Sequence, residues 1–191
     1  MEVLSMILRY IDMYLFAGYG PFTLCLIIIS LFARHNLLVI ELSNAANRIA
    51  IFSGLMFLIL WMVVLGLSLT ESLPEQERAS MMNRLTGPYA WAYWSQPTFL
   101  VVLTQLLWIK RIAKHKLSRL IIGFLLFLNF EKFVIFTTSL HRDYLPSSWS
   151  MESETYAYIL LGIVLRIMFY AGLCVAYYYV SLELGKKRSS I

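Results

Sequence analysis

Five apolar runs of membrane-spanning length, at about residues 11–33, 48–69, 88–109, 118–140 and 156–181, constrain this chain more than any motif within it. Inside hydrocarbon each backbone polar group needs an internal partner, and runs of about 20 residues are the length of a transmembrane helix. With 60% hydrophobic residues among 191, the expected fold class is all-α. The expected architecture is a polytopic membrane helical bundle of five spans, a single transmembrane domain over residues 1–191. The first run lacks a small-residue cleavage site and reads as a span rather than a signal peptide. Residues 1–10 are expected to form a short interfacial helix ahead of it.

The connections set the orientation. Lys110, Arg111, Lys114, Lys116 and Arg119 form a basic turn after the third run, and Lys186, Lys187 and Arg188 follow the fifth. Short loops rich in Lys and Arg stay in the cytoplasm, so the C-terminus is expected inside and the N-terminus outside. Residues 34–47 read as a linker, with Ser43 or Asn44 capping the second span and Arg48 snorkelling from its first turn. Residues 71–87 read as an outward, initially acidic loop, and residues 141–155 as another. The formal charge of +5 therefore reports topology, and no basic, aromatic-interleaved surface for nucleic acid is present in the sequence. Cys25 and Cys174 lie within apolar runs, behave as small hydrophobes and make no disulfide framework or CxxC pattern.

Ionisable residues at depth are the candidates for chemistry, because a charge in the bilayer interior is expensive unless it pairs or reaches water. Glu131 and Lys132 fall in the fourth run and Arg166 in the fifth. At about 1.5 Å per residue, Glu131 lies roughly 14 Å from the outer end of its span and Arg166 roughly 15 Å from that of its own. Pro21 and Pro97 lie at similar depth, and Gly18, Gly20 and Pro21 interrupt the first span, where a bend is expected. The four features together suggest a layer of bent helices around a polar cavity. Glu131 then reads as a proton-exchanging carboxyl with Arg166 or Lys132 as its partner. The alternative is a buried ion pair that only fixes helix register. At the membrane surface, Arg142 and Asp143 either pair to cap the helix or form a docking contact. Tyr89, Trp91, Tyr93 and Trp94 open the third run as an aromatic belt, and Tyr177, Tyr178 and Tyr179 close the fifth. His35, His115 and His141 lie at span ends, with no two within one helical turn, which argues against a bis-histidine haem site in this chain.

The stretch 129–149, reading Asn-Phe-Glu-Lys-Phe-Val-Ile-Phe-Thr-Thr-Ser-Leu-His-Arg-Asp-Tyr-Leu-Pro-Ser-Ser-Trp, resembles the outer end of a helix in the NrfD/polysulfide-reductase membrane subunits. The resemblance is closest to the quinone-site subunit of alternative complex III, strongest at residues 139–143 and 145–149. It recurs at residues 83–89, 91–94 and 105–108, although Thr104 stands where the family often has a proline. It implies that the chain corresponds to the second five-helix half of that subunit, in a bacterial inner (cytoplasmic) membrane. Such subunits carry no covalently bound cofactor. A quinone or menaquinone would occupy a shared site, and iron–sulfur and haem groups would reside on partner subunits. The partners implied are a periplasmic iron–sulfur subunit, met at Arg84, His141, Arg142, Asp143 and Trp149, and another membrane chain or a second copy supplying the missing half. Residues 55–69 depart from the family, being almost wholly apolar where tyrosines and an acid are expected. Three functional readings follow: a membrane subunit of a quinone-linked respiratory oxidoreductase, a structural anchor without quinone chemistry, and a small proton-coupled transporter.

Overall fold

The computed structural model describes residues 2–32, 36–70, 75–88, 90–128 and 153–189. Among the described residues the secondary structure is wholly helical, with no strand. Helix α1 (Glu2–Tyr10) runs through a π turn (Ile11–Phe16) into α2 (Ala17–Phe32), and α3 is Leu37–Thr70. Helices α4 (Glu75–Thr86) and α5 (Ala90–Gln105) follow, then a 3-10 turn (Leu106–Trp108) and the short α6 (Lys110–Lys114). The chain continues as α7 (Lys116–Leu128) and α8 (Ser153–Ser189). Helix α2 is central, packed on α7, α8 and α3, while α3 also packs on α5 and α8.

Three helical stretches, Val3–Phe32, Leu37–Thr70 and Leu160–Glu183, are long and apolar enough to cross a membrane. They correspond to the first, second and fifth expected spans. The third expected span coincides with the 16-residue α5 and the 3-10 turn after it, which are not among these three stretches. Of the fourth, only the part within α7 lies among the described residues.

Two connections differ from expectation. The linker at 34–47 is mostly helix, because α3 starts at Leu37 and no Gly or Pro interrupts residues 37–47. Asn36 opens the helix in place of Ser43 or Asn44, its Oδ1 accepting the Leu38 N–H at 3.0 Å. Arg48 consequently sits well inside α3, donating to the Tyr177 hydroxyl at 3.0 Å. The expected loop 71–87 contains α4, since Glu75, Gln76, Glu77, Arg78 and Ala79 all favour helix. The interfacial helix expected over residues 1–10 is present as α1, but it continues into the first span without a break. There the departure from α geometry precedes Pro21: the Ala17 N–H bonds Asp12 O, five residues back, and α2 runs through the proline.

Lipid provides no hydrophobic drive between helices, so close approach through small residues substitutes for it. At the α2–α7 crossing a Cβ on Gly20 would stand 2.4 Å from Gly123 O, and one on Gly123 would stand 2.8 Å from Gly20 Cα. The two backbones therefore touch. Between α3 and α5, a Cβ on Gly54 would meet Thr104 Oγ1 at 2.0 Å. The larger core residues, Phe16, Tyr19, Leu100, Leu126 and Tyr170, fill the space around these crossings.

Gly20→Ala is expected to destabilise the bundle by about 1–3 kcal/mol through overpacking against backbone. Gly172→Ala, where a Cβ meets nothing within 4 Å, should change stability by no more than about 1 kcal/mol. Thermal unfolding of the two variants in the same detergent, followed by size-exclusion chromatography, checks the contrast.

Candidate functional site

Of the residues expected to carry chemistry or docking, Glu131, Lys132, His141, Arg142, Asp143 and Trp149 lie outside the described residues. Arg84 is exposed in the last turn of α4, as a surface contact requires. Arg166 is half-buried on α8, and among the described residues its side chain makes no hydrogen bond or ion pair. Its backbone carbonyl lies 3.4 Å from where a Gly18 Cβ would stand, so α8 meets α2 at this level through main chain.

The polar groups that the fold brings together lie nearer the basic end of the bundle. Tyr19 on α2 donates to Asn47 Oδ1 on α3 at 2.9 Å, and Asn47 Nδ2 donates to Ala113 O on α6 at 3.2 Å. Tyr170 on α8 donates to Ala46 O at 3.0 Å, and its ring lies edge-on to that of Tyr19 at 6.1 Å. Gln105 Nε2 bonds Ile51 O at 3.2 Å, and Gln105 Oε1 accepts the Trp108 indole N–H at 2.8 Å. These bonds tie five helices and the 3-10 turn to one another. Each also removes the penalty of an unpaired polar group in a low-dielectric interior.

Arg119 departs from the basic turn expected to hold it: it is only 6% exposed, whereas Lys110, Arg111, Lys114 and Lys116 are exposed. A signal was available: Arg119, Ile122, Gly123 and Leu126 share one helical face, and all four are buried. The Gly123 contact with Gly20 lies one turn further on and draws this face inward. Arg119 Nη1 donates to Ser43 Oγ, and the guanidinium lies beside the Tyr19 hydroxyl, close enough for charge–dipole attraction. Among the described residues, however, Nε and Nη2 meet no acceptor in hydrogen-bond geometry, and Thr23 Oγ1 is likewise buried without a partner.

Above Arg119 a cleft of about 180 Å³ opens between α2, α3, α6 and α7. Leu26, Ile27, Val39 and Ile40 form its apolar walls, and Ser30, Ser43, Asn44, Lys114, Lys116 and Arg119 its polar ones. Lys116 Nζ bonds Ser30 Oγ at 2.8 Å across it. The bent-helix layer inferred around Pro21, Pro97, Glu131 and Arg166 thus differs in position from this cleft, which sits at the helix ends where the cations gather.

Tyr19→Phe should lower stability by about 0.6–1.7 kcal/mol, the range of interhelical hydrogen bonds in membrane bundles, by leaving Asn47 Oδ1 without this donor. Tyr170→Phe should cost less, because Ala46 O lies inside α3 and keeps its helical bond. Unfolding midpoints of the two variants, compared in one detergent, test the order. No family model, curated protein or solved structure matches the chain in comparisons with known proteins.

Proposed function

We propose that the chain is an integral membrane subunit of a quinone-linked respiratory oxidoreductase of the alternative complex III kind, in a bacterial inner membrane. The reading is carried by the motif at residues 139–149, which lies in the chain between α7 and α8, two of the helices packed on α2. Helix α7 begins at the basic end and runs away from it to Leu128, toward the opposite face. An iron–sulfur partner on that face would meet His141, Arg142, Asp143 and Trp149, together with Arg84. Glu131, with Lys132 or Arg166, would exchange protons for a quinone held jointly with a second membrane chain.

The architecture supports a membrane subunit, and the family-like segment 105–108 has a defined place in it, since Gln105 braces α3 and Trp108. A second reading, an anchor or assembly subunit without quinone chemistry, is favoured by a separate observation. Tyr19, Asn47 and Tyr170 satisfy one another and the backbone, as a structural network does.

Extraction from the native membrane in a mild detergent, with intact-assembly mass spectrometry and iron and haem assays, tests the leading reading. The chain should travel with iron–sulfur and membrane subunits; isolation alone and free of iron refutes it. Within such an assembly, Glu131→Gln should lower quinol oxidation about 100-fold or more while leaving subunit content unchanged, the scale of a lost general acid–base. Unchanged turnover selects the anchor.

A further inference from the structure

We infer that the cleft at the basic end is a binding site for a phosphate group, and that its occupant is the headgroup of an anionic phospholipid. This inference is independent of the quinone reading. Its foundation is Arg119, buried to 6% exposure and lining the cleft, with the N–H groups on Nε and Nη2 meeting no acceptor in hydrogen-bond geometry among the described residues. A buried guanidinium with unsatisfied donors is costly, and arginine's planar fork matches two phosphate oxygens at once. Lys114 and Lys116 add positive charge at the mouth, Ser43 adds a hydroxyl, and among the described residues no carboxylate lines the cleft to compete for the cations.

Two further features select a lipid. Helices α3 and α7 both begin at this end, at Leu37 and Lys116, so their positive dipole ends reinforce the cations. Leu26, Ile27, Val39 and Ile40 line the same cleft, continuing along membrane-spanning helices, where glycerol and the first methylenes of an acyl chain would lie. A phosphate beside an apolar wall at a basic membrane surface is the chemistry of an anionic headgroup between helices.

The test uses the full chain, purified and delipidated in a neutral detergent, with native mass spectrometry against phosphatidylglycerol, phosphatidylcholine or inorganic phosphate. Phosphatidylglycerol should bind at least tenfold more tightly than phosphatidylcholine. Arg119→Gln should weaken it by roughly 10- to 100-fold, the loss of charge-assisted hydrogen bonds, and Arg119→Lys should restore part of that loss. Lys110→Gln, on an exposed residue that does not line the cleft, should change binding less than about twofold, as surface charges do. Should Arg119→Gln fail to fold, Lys114→Gln, on an exposed residue at the cleft mouth, serves instead, with a loss of about threefold or more expected for a partly screened charge. Inorganic phosphate at millimolar concentration displaces the lipid if the headgroup alone suffices, and fails to if the acyl chains are needed. Dependence on the cleft cations with either phosphatidylglycerol or inorganic phosphate sustains the phosphate site. Equal affinity for both lipids without a phosphate effect, or equal losses in the cleft and Lys110 variants, overturns it.

Discussion

The backbone contact of Gly20 with Gly123 is the constraint on which the rest of the basic half of the bundle depends. Where neighbouring lipid is as apolar as a neighbouring helix, association relies on packing and polar bonds. Both improve when backbones can approach, and here a single Cβ on either side would overlap the other chain. The contact fixes the depth and rotation of α7 against α2. One turn earlier on α7 is Arg119, so the same contact that packs the helices carries a guanidinium out of solvent and up to Ser43. Lys116, nearly a further turn back, is brought to Ser30.

Once the helices are this close, their polar side chains must find partners within the bundle. Tyr19, Asn47 and Tyr170 do so by bonding across helices and to main-chain carbonyls, which turns a desolvation cost into interhelical ties. The Gly54 and Thr104 contact works in the same sense on α3 and α5: Thr104 directs its hydroxyl to the carbonyls of Leu100 and Val101, which lets the two helices approach without an orphan. Among the described residues, Arg119 and the Thr23 hydroxyl are the members of this interior that remain incompletely answered. Of these polar groups, the guanidinium is the one that borders the cleft at the basic end.

Much of the helical plan was legible. The apolar runs mark α2, the membrane part of α3, α5 and α8, and boundary aromatics behave as anchors: Trp94 bonds Leu85 O at 3.1 Å and lies against Trp61 and Tyr93, with Trp91 turned outward. What hydropathy missed were helices without an apolar signal. Helix α4 is polar, and residues 37–47 mix apolar and polar side chains, so both passed for connections although their local propensities favour helix. Of the candidate residues, Arg166 falls on the helix its apolar run predicts, Arg84 lies on α4 rather than in a loop, and Arg119 leaves its charged neighbours although five cations within ten residues resemble one solvated turn.

Taken alone, then, the sequence determined the class of the protein: apolar runs of this length have no stable alternative to membrane helices, because hydrogen bonding in hydrocarbon must be satisfied within the segment. It also determined where charge gathers, since Lys and Arg avoid the hydrocarbon and collect at helix ends. Only the tertiary structure decided which of those cations is withdrawn from water. Withdrawal depends on Gly20 meeting Gly123, a pairing of residues about a hundred positions apart whose effect is to remove space rather than to add an interaction. A glycine in an apolar run looks the same whether its surroundings are open, as at Gly172, or it seats another backbone; the neighbour that distinguishes them exists only in the fold.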